Sequence, residues 1–276
     1  MRKNPFIYRI FTLLLVVTFL ASCKKDDEVK PAKEEDFASA QATISLTNEV
    51  NDIGNMAIDF SGKISSDTKL ANIKNVRTAI EEGTCGVIDF NWSEASGNII
   101  VTVDYGTGTT CNGIVYKGKL VFTYTYTTNG LNATINFVDY EADGKKLRGD
   151  YIMDMSYVKT EAKAGLKYDW KFQNAVFTYA DGSTVKWNSA YSISISGATY
   201  NTTGGISGTG KDGKNFSATI TSPLSISEGC QYGLVSGTYL IKGDGHPDAT
   251  YDFGDGTCDN KATLTINGTT QTFTFE

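Results

Sequence analysis

The chain has 276 residues, a net charge of −6 and a single histidine. An excess of 31 Asp and Glu over 25 Lys and Arg argues against a nucleic-acid partner and against electrostatic attraction to anionic lipid. One histidine excludes a histidine metal cluster and forces any Ser-His-Asp or Cys-His arrangement through His246.

At the N-terminus, Arg2 and Lys3 precede an uncharged run from Ile10 to Leu20, followed by the small residues Ala21 and Ser22 and then Cys23. That order is expected of a cleaved secretory signal over residues 1–22. The apolar run is too short for the roughly 20 residues that a membrane-spanning helix needs. Leu20-Ala21-Ser22-Cys23 resembles the lipobox of bacterial lipoproteins, which implies acylation of the Cys23 thiol. The mature chain is then held at a membrane by lipid, since two or three acyl chains make a stable anchor. Lys24-Lys25-Asp26-Asp27-Glu28 resembles the surface-export signal of Bacteroidota lipoproteins, which implies an outer-membrane, surface-exposed location. Residues 23–37 are dense in charge and read as a solvated tether. Loss of Arg2, Lys3 and Arg9 with the signal takes the net charge from −6 to −9.

One stretch reads as a helix: Leu46, Val50, Ile53 and Ala57 share a face between about Thr43 and Phe60. Later segments have period two, as in Val121 to Tyr126, where Phe122, Tyr124 and Tyr126 alternate with Val121, Thr123 and Thr125. Similar runs are expected as strands at Ala133 to Tyr140, Tyr151 to Val158, Trp170 to Tyr179, Thr184 to Ser196, Phe216 to Ile220, Leu234 to Ile241 and Ala262 to Phe275. Asn129-Gly130, Asp143-Gly144, Asp181-Gly182 and Asp212-Gly213 separate several of them and favour tight hairpins. The expected fold is all-β, an antiparallel meander of hairpins forming a sandwich or half-barrel, with one short N-terminal helix. Residues 38–276 form one β-rich domain or two similar halves, about 38–145 and 146–276.

An internal repeat supports the idea of halves. Val103-Asp104-Tyr105-Gly106-Thr107-Gly108-Thr109-Thr110-Cys111 returns as Tyr251-Asp252-Phe253-Gly254-Asp255-Gly256-Thr257-Cys258, and each copy follows another cysteine, Cys85 or Cys230, at a similar distance. Four cysteines besides Cys23, in an oxidising compartment, make an even set. Three connectivities are open to them; the repeat favours Cys85 with Cys111 and Cys230 with Cys258.

Phe253 to Ala262, Ser222-Pro223-Leu224 and Tyr179-Ala180-Asp181-Gly182-Ser183 resemble a family of Bacteroidota lipoproteins over the region from about Cys85 to the C-terminus. The resemblance implies a location and a fold but no activity. Tyr251-Asp252-Phe253-Gly254-Asp255-Gly256-Thr257 is also similar to the signature of PKD domains, immunoglobulin-like modules of surface proteins and glycan-degrading enzymes. That family continues with a histidine and a tyrosine, whereas Cys258 stands here, so the likeness is read as a shared turn.

No nucleophile elbow, metalloprotease helix motif or phosphate loop is present. His246 lies in Gly243-Asp244-Gly245-His246-Pro247-Asp248, a turn-like segment. Asp244, Asp248, Asp252, Asp255 and Asp259 offer the hard oxygen ligands that calcium prefers, with Asp252, Asp255 and Asp259 the central candidates. The spacing is not that of an EF-hand, and Thr107 replaces Asp255 in the first copy; a solvated turn is the competing reading. Trp92, Trp170, Trp187 and fifteen tyrosines are able to furnish a sugar-stacking platform, against which stands the rule that alternate aromatics on strands are core. Two functions of different class follow: a non-enzymatic surface protein binding a glycan or an envelope protein, or a carboxylate-dependent hydrolase such as a glycosidase. An exposed aromatic strip or a flat apolar patch favours the first, and a deep cleft with two carboxylates about 5 to 9 Å apart the second.

Overall fold

A computed structural model describes residues 32–65, 73–93, 97–159, 164–196, 198–227 and 229–274; the signal, Cys23 and most of the tether lie outside the described residues. Two helices, α1 (Glu34–Ser65) and α2 (Ile73–Gly83), precede thirteen strands. The first six are β1 (Val87–Ser93), β2 (Asn98–Cys111), β3 (Ile114–Thr127), β4 (Gly130–Ala142), β5 (Lys145–Lys159) and β6 (Ala164–Thr178). Then come β7 (Thr184–Ser196), β8 (Thr199–Thr209), β9 (Asn215–Ser227), β10 (Leu234–Gly243), β11 (Ala249–Asp255), β12 (Lys261–Ile266) and β13 (Thr269–Thr274).

Each strand pairs antiparallel with the next in one thirteen-stranded meander, with β1 and β13 at its edges. The sheet runs unbroken through the proposed boundary at residue 145, because β5 pairs with both β4 and β6. The thirteen strands form a single continuous sheet that is not closed. All four hairpin dipeptides fall at strand connections, and Asn112-Gly113 and Asn267-Gly268 add two more with positive φ at both residues. The last of these splits the run Ala262 to Phe275 into β12 and β13.

Alternation puts one apolar face on the sheet. A row of direct cross-strand partners runs Phe90, Val101, Phe122, Ile135, Tyr151 and Phe172, then Ser189, Ile206, Ala218, Ile241, Ala249 and Ile266. All twelve are buried. A one-residue slip of any strand would turn its apolar set to solvent, so this row pins the register.

α1 lies across that face. It begins at Glu34, nine residues before the expected Thr43, so the last four tether residues form its first turn and Asp36 and Phe37 are buried. Ile53 and Ala57 are buried on its inner face as expected; the side chains of Leu46 and Val50 lie outside the described residues. Near its start, Ser39 approaches Gly243 of β10; further along, Ala57 O accepts a hydrogen bond of 3.1 Å from the Tyr124 hydroxyl on β3. Those 18 residues span about 27 Å of helix, whereas seven flat inter-strand steps from β10 to β3 would need about 34 Å. The sheet therefore curves around the helix, which acts as a chord. α1 rests mainly on β4 at one side and on β9, β10 and β12 at the other. Beneath it, aromatic rings line the arc: Tyr151 stacks on Trp170, Trp170 meets Tyr191 at 4.6 Å, and Trp187 meets Phe172 and Phe177.

α2 was not expected from the sequence. Its buried Val76 and Ile80 are four apart, the minimum helical signature, on a segment too short to reveal a period.

Candidate functional site

The repeated motif forms the same local structure twice. Asp104 Oδ1 accepts from Gly106 N at 2.8 Å, and Asp252 Oδ1 accepts from Gly254 N at 2.8 Å. Such Asx turns hold the following glycine at positive φ, +57° at Gly106 and +94° at Gly254, where a Cβ would be strained. The intervening aromatics, Tyr105 and Phe253, are both buried. In each copy a cysteine precedes a hairpin whose second strand carries the motif: β1–β2 at one edge of the sheet and β10–β11 near the other. Cys85 meets Cys111 and Cys230 meets Cys258 at disulfide distance, with Cα–Cα separations of 6.0 and 5.4 Å. The duplication thus covers two hairpins, with seven strands between them.

The five candidate calcium ligands serve separate local roles. Asp244 Oδ2 accepts from the backbone N and the amide of Asn215, and Asp248 pairs with Lys242 at 2.9 Å. Asp255 Oδ1 accepts from Thr257 N and Oγ1, and Asp259 Oδ1 from Lys261 N. Those Thr257 hydrogen bonds hold the Asp255 carboxyl below its ordinary range. No group of three His, Cys, Asp or Glu side chains converges as a metal site among the described residues.

His246 has a partner that the sequence did not reveal. Its Nδ1 lies 2.8 Å from Asp36 Oδ1 on the first turn of α1. The other carboxylate oxygen, Oδ2, accepts from Lys33 N at 2.9 Å. The His246 hydrogen bond first, and the Lys33 amide second, lower the Asp36 pKa. An ionised carboxylate only accepts, so His246 Nδ1 carries the proton it donates. Ser39 lines the same cavity, but its volume is about 10 Å³, room for roughly one water. Asp36 and His246 therefore read as a clamp that ties the start of α1 to the β10–β11 turn. The sign for Asp36 is that of a depressed acid: its contribution is present above the ordinary value of 3.8 and is lost as pH falls through the lowered one. Asp36→Asn is expected to cost about 1–2 kcal/mol at pH 7, and thermal melts of the two proteins should converge as the pH drops below 4.

The tryptophans do not form an exposed platform. Trp170 and Trp187 are 3% and 2% exposed and Trp92 is half-buried. What that face leaves partly accessible is a mixed row of aliphatic and tyrosine side chains. Tyr157, Leu166, Ile195, Tyr200, Ile226 and Leu234 are direct cross-strand partners over six strands, β5 to β10. They point to the same face as the core. Tyr157 is 53% and Ile226 40% exposed, and the other four are half-buried. Leu234 stands nine residues along β10 from Gly243, about 30 Å from the end where the tether joins. No stretch of sequence announces this ladder, because its members come from six strands and meet only through register.

No protein-family model, curated protein or solved structure matches the chain. No helix among the described residues is long and apolar enough to cross a membrane, which says nothing about strands.

Proposed function

We propose that this chain is a lipid-anchored protein of the outer-membrane surface that acts by binding and not by catalysis. The observation that carries the reading is the apolar ladder. Apolar surface left accessible on a folded chain marks interaction sites, and this row, exposed at Tyr157 and Ile226 and half-buried at its other members, lies at the end of the sheet remote from the tether. With Tyr157 and Tyr200 among its members, the row offers aromatic as well as aliphatic surface to a partner.

Fractionation tests the anchor: the full chain with Cys23→Ala is expected to leave the membrane. Leu166→Asp combined with Ile226→Asp tests the ladder. The double variant should keep its fold by circular dichroism and lose the binding that the parent shows in a panel of glycans, envelope proteins and lipids. Ladder-independent binding, or release of reducing sugar from any glycan by the parent, would overturn the reading.

A further inference from the structure

An open sheet has two edges, and the chain treats them differently. β1 carries the charge of Asp89 and has α2 packed beside it, two of the devices by which natural sheets keep other strands from pairing. β13, with the sequence Thr-Thr-Gln-Thr-Phe-Thr, has neither. It contains no charge, proline, glycine or bulge, and β12 is its only partner in the sheet. A regular, uncharged edge rich in β-branched residues is a template for another strand.

The hairpin fixes which backbone groups face outward. β12 and β13 are joined by two residues, Asn267 and Gly268, both at positive φ, so Ile266 and Thr269 close the hairpin as a hydrogen-bonded pair. Bonded and non-bonded pairs alternate along an antiparallel ladder. Leu264 with Gln271 and Ala262 with Phe273 are therefore the next bonded pairs, and Thr270, Thr272 and Thr274 turn their N–H and C=O groups to the open edge. All three are exposed. Their side chains stand on the outer face beside Thr265, Thr263 and Lys261, while Phe273 is buried on the core face.

We infer that β13 pairs with β13 of a second copy of this chain, antiparallel about a two-fold axis through Thr272. In that register Thr272 faces the partner's Thr272 and Thr270 faces the partner's Thr274, so every outward N–H and C=O of the strand meets its complement. Sliding the pair to centre on Gln271 would leave those of Thr274 beyond the end of the partner strand. No charge meets a like charge, and the outer-face pairs are Thr with Thr, a favourable cross-strand combination. Gln271 falls opposite the partner's Phe273, so the core face of one sheet continues into the other. The occupant is a second copy because the strand complements itself. Such an isologous contact stops at two chains, whereas β13 on β1 would leave edges free and grow without end. A pair of six-residue strands is narrower than the roughly 1,000 Å² interfaces of stable complexes, so the dimer is reversible. It is independent of the ladder and of what the ladder binds.

The test uses the chain from Lys24 onward, which holds every described residue and whose cysteines are all paired. Sedimentation over a range of concentrations should show a monomer–dimer equilibrium. Thr272→Lys, which sets two ammonium groups face to face at the axis, should weaken it at least tenfold and leave the melting temperature unchanged. Directly bonded partners stand about 5.5 Å apart at Cα, inside the disulfide range, so Thr272→Cys should give a covalent dimer under mild oxidation. Thr270→Cys and Thr274→Cys should each fail alone, since like positions lie about 14 Å apart, and should link when the two proteins are mixed. A monomer at every concentration, a dimer indifferent to Thr272→Lys, or self-linkage of Thr270→Cys as fast as that of Thr272→Cys overturns the inference. Growth of the parent chain into filaments overturns it too.

Discussion

Raising the pH beyond 10 is expected to unfold this protein in one cooperative step, before its buried tyrosines titrate. Burial pushes the phenols of Tyr124, Tyr151 and Tyr239 far up, and that of Tyr251 to about 12. An acid whose pKa is raised on folding contributes fully below its unfolded value, here 10.0, and the contribution is lost as pH rises toward the folded one. Each such group loses about 1.36 kcal/mol per pH unit in that window. Several such losses together are comparable with the stability of a typical domain, about 5–15 kcal/mol. Tyrosinate absorbance should therefore appear in step with the loss of far-ultraviolet dichroism. Gradual titration near pH 10 with the sheet intact would show that these rings are accessible. Tyr151→Phe offers an internal control: it deletes a high-pKa group whose hydroxyl has no partner, so the alkaline midpoint should rise. Tyr124→Phe deletes the hydrogen bond to Ala57 O and should loosen α1 at neutral pH.

The second large effect is expected from the cysteines. Cys85–Cys111 and Cys230–Cys258 close loops of 26 and 28 residues, and the chain-entropy relation assigns each about 3.5 kcal/mol. The former fastens the segment before edge strand β1 to the end of β2. The latter joins the β9–β10 connection to the β11–β12 connection. Paired Cys→Ser replacements at either bridge should lower the urea midpoint without changing which face of the sheet is buried, and removal of both should leave a protein near the limit of stability. Parent protein with reductant should reproduce the doubly replaced variant. An unchanged midpoint once four free thiols are counted would show that the bridges restrain nothing in the unfolded chain.

Local chemistry made much of the sheet readable in advance. Thr184 to Ser196 was expected as a strand and is β7 to the residue, because alternation there is uninterrupted and Asp181-Gly182 marks its start. Hairpin dipeptides act through φ preferences of two residues and need no distant partner, which is why all four sit at turns. β8, Thr199–Thr209, was missed for the converse reason: its Thr, Asn, Ser and Gly residues carry little apolar period, and it is a strand because β7 and β9 flank it on both sides. The repeat foretold both cysteine pairs, since the same Asx turn recurs at each. In the structure the repeat marks two hairpins, β1–β2 and β10–β11, each with its own cysteine pair.

By itself, the sequence determined the all-β class, the meander of hairpins, the pairing of four cysteines and the central face of one helix. Each depends on neighbours within a few residues or on copies of a motif. Only the tertiary structure decided that one continuous sheet curves around α1, that Asp36 is held by His246 across 210 positions, and that apolar side chains from six strands align as a ladder at the far rim. It also put Gly54 of α1 directly over Tyr151 and Trp170. The physical reason is common to all of these: they arise from cross-strand register and from the path of a helix over a curved sheet, which no local preference encodes.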